Sequence, residues 1–238
     1  MDETPGAASR GASATRGSEQ ASDPTPEVVA QRLTGQFATA YLTLASIIQG
    51  VALTTLVSRV EAAYSGFTAA DWVLTVTTFL VILIVWQEYL LQALAYVWLP
   101  TVLDSLVPFG FVVAEIFLAH LVYHTERAWL VAYGGFYLMG VAAWSFQNRQ
   151  IGASGDEESR RIDRFLAPHD RLRGALLIIF AALSLAAWAL YDVLGLGRAP
   201  LGVAFGALAG VCVFVGRSVP AWERLRAYAR GGWHGTGR

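Results

Sequence analysis

Residues 72–122 read WVLTVTTFLVILIVWQEYLLQALAYVWLPTVLDSLVPFGFVVAEIFLAHLV. This is a long apolar run interrupted by acids and amides, among them Glu88, Gln92, Asp104 and Glu115. One passage through a bilayer needs roughly 20 apolar residues. The run is therefore long enough for two, and lipid is the expected solvent. Composition agrees: 55% of the 238 residues are hydrophobic and only 15% are charged, against about 25% in soluble domains.

Working outward, residues 1–25 are rich in Gly, Ala, Ser, Thr and Pro and lack aromatics. Such a segment buries too little apolar surface to offset its chain entropy, so a disordered tail is expected. It starts acidic and has no apolar stretch, unlike a signal peptide. Thr25 and Pro26 form a helix-start signal. A transmembrane domain then spans 26–219, with crossings expected near 37–57, 72–94, 97–122, 128–146, 174–194 and 201–219. Pro108 predicts a kink in the third. A polar loop is expected at 147–173, with a capping box at Ser154–Glu157 and a short amphipathic helix stopped by Pro168. Residues 220–238 read as a basic amphipathic tail anchored by Trp222 and Tyr228. The predicted class is all-α: a polytopic membrane protein of six transmembrane helices.

Arginine placement orients these helices. All 17 basic residues are arginine, a usage that suggests a GC-rich bacterial genome. With both termini cytoplasmic, fourteen arginines fall inside and only Arg59, Arg127 and Arg198 fall outside, as the positive-inside rule requires. The inner, or plasma, membrane is the expected location. Trp72, Trp98, Trp129 and Trp222 fall near the proposed boundaries, where an aromatic belt belongs.

Ionisable groups at membrane depth are costly and so mark candidate sites. Glu88, Asp104 and Glu115 are candidates for a cation or proton path, with Glu88 and Asp104 expected to meet at the inner mouth and Glu115 deeper. The alternative places Glu88 and Asp104 at headgroup level and bonds Glu115 to a neighbouring helix. Gln49 falls midway along the first crossing, where it is either interhelical glue or pore lining. Gly202, Gly206 and Gly210 form a small-residue stripe for close helix packing. Cys212 is the single cysteine and His120, His124, His169 and His234 lack ligand spacing, so no metal site or cofactor is expected. No nucleotide-binding or hydrolase motif is present, and the chain is not expected to be an enzyme or to bind nucleic acid.

Three pieces resemble the prokaryotic six-helix members of the transmembrane-protein-175 family, the endolysosomal-type potassium channels. Gln49-Gly50-Val51 is similar to the family's Asp-Gly-Val. Residues 79–86, FLVILIVW, are similar to its Phe-Leu-Val-Ile stretch ending in Trp, and Ser105-Leu106-Val107-Pro108-Phe109 resembles its Ser-Leu-Leu-Pro-Phe. The resemblance covers the first three helices. It implies a homo-oligomer, a tetramer with the first helices around its axis, carrying a monovalent, potassium-like cation past Gln49, Leu53 and Thr54. The family's Arg and Phe-Ser-Asp are absent, Ile47-Ile48-Gln49 standing in their place, so potassium selectivity does not carry over. The other expectation is a membrane scaffold or sensor subunit acting through 147–173 and the tails.

Overall fold

In a bilayer every backbone N–H and C=O must find its partner within the protein, and helices do this segment by segment. The computed structural model describes residues 26–95, 102–153 and 157–229, and within them it is all-helical with no strand. The helices are α1 Pro26–Ala63, α2 Ala69–Ala95, α3 Val102–Leu121, α4 Glu126–Ala153, α5 Glu157–Ala189 and α6 Pro200–Ala229. Among the described residues five stretches are long and apolar enough to cross a membrane: Ala38–Gly66, Ala69–Ala95, Glu126–Gln150, Asp170–Ala189 and Pro200–Ala227. The apolar part of α3, Leu106–Leu121, is shorter.

Local chemistry sets the helix ends. Thr68 and Asp71 cap α2 reciprocally: the Thr68 N–H donates to Asp71 Oδ2 at 2.7 Å and the Asp71 N–H to Thr68 Oγ1 at 3.3 Å, two otherwise orphaned donors satisfied together. Thr125 Oγ1 accepts from the Ala128 N–H at 3.2 Å at the start of α4. Gly195, at φ +62°, supplies the left-handed turn between α5 and α6 that a side chain would resist. Pro200 opens α6, where a missing N–H costs nothing.

α4 lies most closely against α5 and α2 against α6, while α1 packs on both α2 and α3. The fully buried side chains include Leu74, Val81 and Ile82 of α2, Leu118 of α3, Trp129 of α4 and Val211 of α6. Bulky apolar side chains also face outward: Phe79 and Leu83, Phe109 and Phe117, Ile178 and Leu183. A chain with apolar groups on both its inside and its outside is matched to lipid.

Several boundaries differ from the sequence expectation. The polar loop expected over 147–173 is largely helix, as α4 continues to Ala153 and α5 begins at Glu157. Pro168 does not stop a helix; α5 runs through it. Proline frees the carbonyl four residues back, here that of exposed Arg164, which water can satisfy. α6 likewise continues through Pro220 to Ala229 rather than breaking into a separate tail helix. The carbonyl this frees belongs to Gly216, which is exposed, so it can be satisfied from outside the protein. α3 remains helical across Pro108. Trp129 is not a belt residue: it is fully buried and its Nε1 donates to Thr78 Oγ1 at 3.3 Å. The expectations for the 1–25 tail, for Trp98, for Ser154-Gly155-Asp156 and for the last nine residues fall outside the described residues.

Candidate functional site

Polar side chains within the helices collect at three levels. At one end, α2 delivers Glu88, α4 Gln147, α5 Asp170 and Arg173, and α6 Ser218. Arg173 Nη1 pairs with Glu88 Oε2 at 2.7 Å, and its Nη2 pairs with Asp170 Oδ1 at 2.9 Å and donates to Gln147 Oε1 at 2.9 Å. Ser218 Oγ donates to Glu88 Oε1 at 3.3 Å and Trp144 Nε1 to Asp170 Oδ2 at 2.7 Å. The Arg173 and Glu88 side chains are 15% and 17% exposed. An ion pair this enclosed needs further hydrogen bonds to offset its desolvation, and Gln147, Asp170 and Ser218 supply several of them.

Above this network lies a cavity of about 100 Å³. Tyr41, Tyr89, Phe111, Phe136, Tyr137 and Trp144 line its wall, and Glu88, Gln92, Gln147, Gln150 and Arg173 its polar end. A smaller recess adjoins it, lined in part by Arg217, Ser218, Asp170 and Glu88. The Tyr89 hydroxyl is buried with no hydrogen-bond partner among the described residues.

The middle level joins α1 to α3. Gln49 Nε2 donates to Glu115 Oε1 at 3.2 Å, Glu115 being 0% exposed and Gln49 4%. Glu115 Oε2 and Gln49 Oε1 have no partner among the described residues. At the opposite end from Glu88, Arg59 donates to the His120 carbonyl at 3.2 Å and contacts His124 Nε2 at 3.3 Å. Arg127 pairs there with Asp192 at 2.7 Å. Both groups are exposed, and such pairs contribute little.

The structure thus brings together Gln49 and Glu115, and it joins Glu88 to Arg173 and Ser218. Asp104 lies near the start of α3, and its side chain is outside the described residues. Leu53 is half-buried against the core. Thr54 is exposed on the opposite side of α1 from Gln49, its hydroxyl donating back to the Gly50 carbonyl at 2.8 Å. Gly202 and Gly206 face outward with no neighbour from another helix, whereas a Cβ on Gly210 would fall 3.3 Å from the Phe180 ring. Among the described residues no group of three His, Cys, Asp or Glu could hold a metal ion. Sequence reasoning did not pick out Arg173, Gln147 or Tyr89. Arg173 carried a usable signal: it is the last cation before the fifth apolar run, at the end where the arginine count also puts Glu88.

The outward face of α1 differs from those of α2, α3 and α5. Thr39, Thr43, Gly50 and Thr54 are exposed and, four or seven residues from one to the next, share one side of the helix with Ile47 and Val57. Thr43 Oγ1 bonds to the Thr39 carbonyl at 2.9 Å. The outward positions of α2, α3 and α5 are bulky and apolar instead. No protein-family model, curated protein or solved structure matches the chain.

Proposed function

We propose that all six helices cross the bilayer, with both ends at the arginine-rich cytoplasmic face of the inner membrane, and that several copies assemble with their α1 stripes around a cation path. One observation carries this reading: among the described residues α1 turns the hydroxyl-bearing Thr39, Thr43 and Thr54 outward beside Ile47, Val51 and Val57, where the outward positions of α2, α3 and α5 carry bulky apolar groups. Small and hydroxyl residues favour close helix contact or a wet wall over lipid. At about 1.5 Å per residue the 20 residues of α3 reach about 30 Å, matching a hydrocarbon core of about 30 Å. Thr54 then faces the path with Leu53 beside it, while Gln49 and Glu115 join α1 to α3 inside each protomer. The tetramer and the monovalent, potassium-like ion rest on the sequence resemblance.

The test is cation flux into liposomes holding purified protein, run beside a mass measurement of the particle. The expected result is an oligomer whose flux falls severalfold in Thr43→Ile and Thr54→Ile. A monomer without flux overturns the channel reading and leaves the scaffold or sensor reading. In that case, replacing residues 147–173 by a linker abolishes binding of a soluble partner.

A further inference from the structure

The aromatic cavity lies inside one protomer, away from the α1 stripe, and the proposed path does not use it. Its size is informative. An apolar cavity of about 150 Å³ takes a benzene ring; this one, at about 100 Å³, takes a compact group about the size of trimethylammonium. Because its polar end holds Glu88, Gln92, Gln147 and Arg173, a bound molecule can carry a polar part as well.

The charge such a molecule carries follows from the partners at that end. Arg173 already holds two carboxylates, Glu88 and Asp170, and the Gln147 amide oxygen. An anion would bring a third negative charge to a guanidinium that already bridges two carboxylates. A cation replacing Arg173 at Glu88 leaves Arg173 with Asp170 and Gln147 still in place. Glu88 in turn exchanges one cation for another and keeps the Ser218 hydroxyl. Arg217 is the other cation nearby, and it lines the adjoining recess rather than the cavity. The walls favour the same sign. Aromatic faces attract a cation held within about 6 Å of the ring centre, and Tyr41, Tyr89, Tyr137 and Trp144 all border the space.

We propose that this cavity is a binding site for a small organic cation, an alkylated ammonium whose charge lies against the aromatic wall and the Glu88 carboxylate. Occupancy displaces Arg173 toward Asp170. The proposal does not depend on ion conduction and survives or fails separately from it.

Calorimetric titration of the full-length protein in nanodiscs tests it, using three probes built on one skeleton: choline, its neutral carbon isostere 3,3-dimethylbutan-1-ol, and the anion 3,3-dimethylbutanoate. Choline is expected to bind at least about tenfold tighter than the neutral isostere, the scale of a desolvated cation–π contact, and the anion more weakly still. Glu88→Gln brings choline to the level of the isostere. Arg173→Gln removes the competing cation and tightens choline binding. Ala143→Phe, which adds bulk to the wall without touching the ion pair, abolishes binding of both choline and the isostere. The three-probe comparison on the unaltered protein stands even if a variant fails to fold. Equal binding of choline and its isostere, tighter binding of the anion, no binding of choline, or an undiminished choline preference in Glu88→Gln overturns the proposal.

Discussion

At the scale of single residues, the polar groups inside the helices are paired across long sequence distances. Gln49 and Glu115 are 66 positions apart, and Glu88 and Arg173 are 85 apart. Gln49, Glu88 and Glu115 stand out in the sequence because an acid or amide in an apolar run is costly. Which of them pair, and that Glu88 pairs with Arg173, does not stand out, because pairing depends on which helices become neighbours. The Gln49–Glu115 contact also makes a sharp energetic prediction. Removing one partner strands a buried polar group at about 1–3 kcal/mol, whereas replacing both with apolar groups of similar shape can be nearly neutral. Gln49→Leu is therefore expected to lower stability by about that amount, and the double variant Gln49→Leu/Glu115→Leu to recover most of it. Reversible denaturation in mixed micelles reads the difference. A double variant less stable than Gln49→Leu would mean that the carboxyl does more than satisfy the amide.

At the scale of elements, the closest helix pair is built on absent side chains. A Cβ on Gly174 of α5 would fall 2.5 Å from the Trp144 ring of α4, and one on Gly140 of α4 would fall 2.8 Å from Leu177 of α5. The Trp144 ring is also tethered, through its bond to Asp170. Gly174→Ala is expected to cost about 1–3 kcal/mol by overpacking and to weaken that tether. Gly206 has nothing within 4 Å, so Gly206→Ala should be neutral or stabilise by up to about 1 kcal/mol through helix propensity alone. Thermal unfolding followed by circular dichroism separates the two. The sequence showed a glycine stripe on α6 but not that only Gly210 of the three is packed within the protomer, since identical residues on one helix meet different surroundings. Helix extent was similarly half-legible. Apolar runs mark what lies in lipid, but the polar extensions of α4, α5 and α6 carry no apolar signal, and Pro168 argued for a stop where α5 runs on.

At the scale of the whole molecule, the proposed orientation and the number of crossings meet in one measurement. The polar contacts put Arg59, His124, Arg127 and Asp192 at one end of the bundle and Glu88, Arg173 and Ser218 at the other. The arginine count assigns the second end to the cytoplasm. If α3 crosses, the turns after α1 and α5 share the outer side, and the start of α5 lies inside. If α3 stays at one surface, every later element is inverted: the turn after α5 moves inside and the start of α5 moves out. The single native cysteine, Cys212, is exposed and is first replaced by serine. Cysteines are then placed one at a time at Ser65, Ala199 and Arg164, all exposed. A membrane-impermeant maleimide applied to intact cells is expected to label Ser65→Cys and Ala199→Cys, and to reach Arg164→Cys only after the cells are opened. Labelling of Arg164→Cys from outside, with Ala199→Cys protected, would remove α3 from the crossings. Protection of both Ser65→Cys and Ala199→Cys would turn the molecule over and place the Glu88–Arg173 end of the cavity at the outer face.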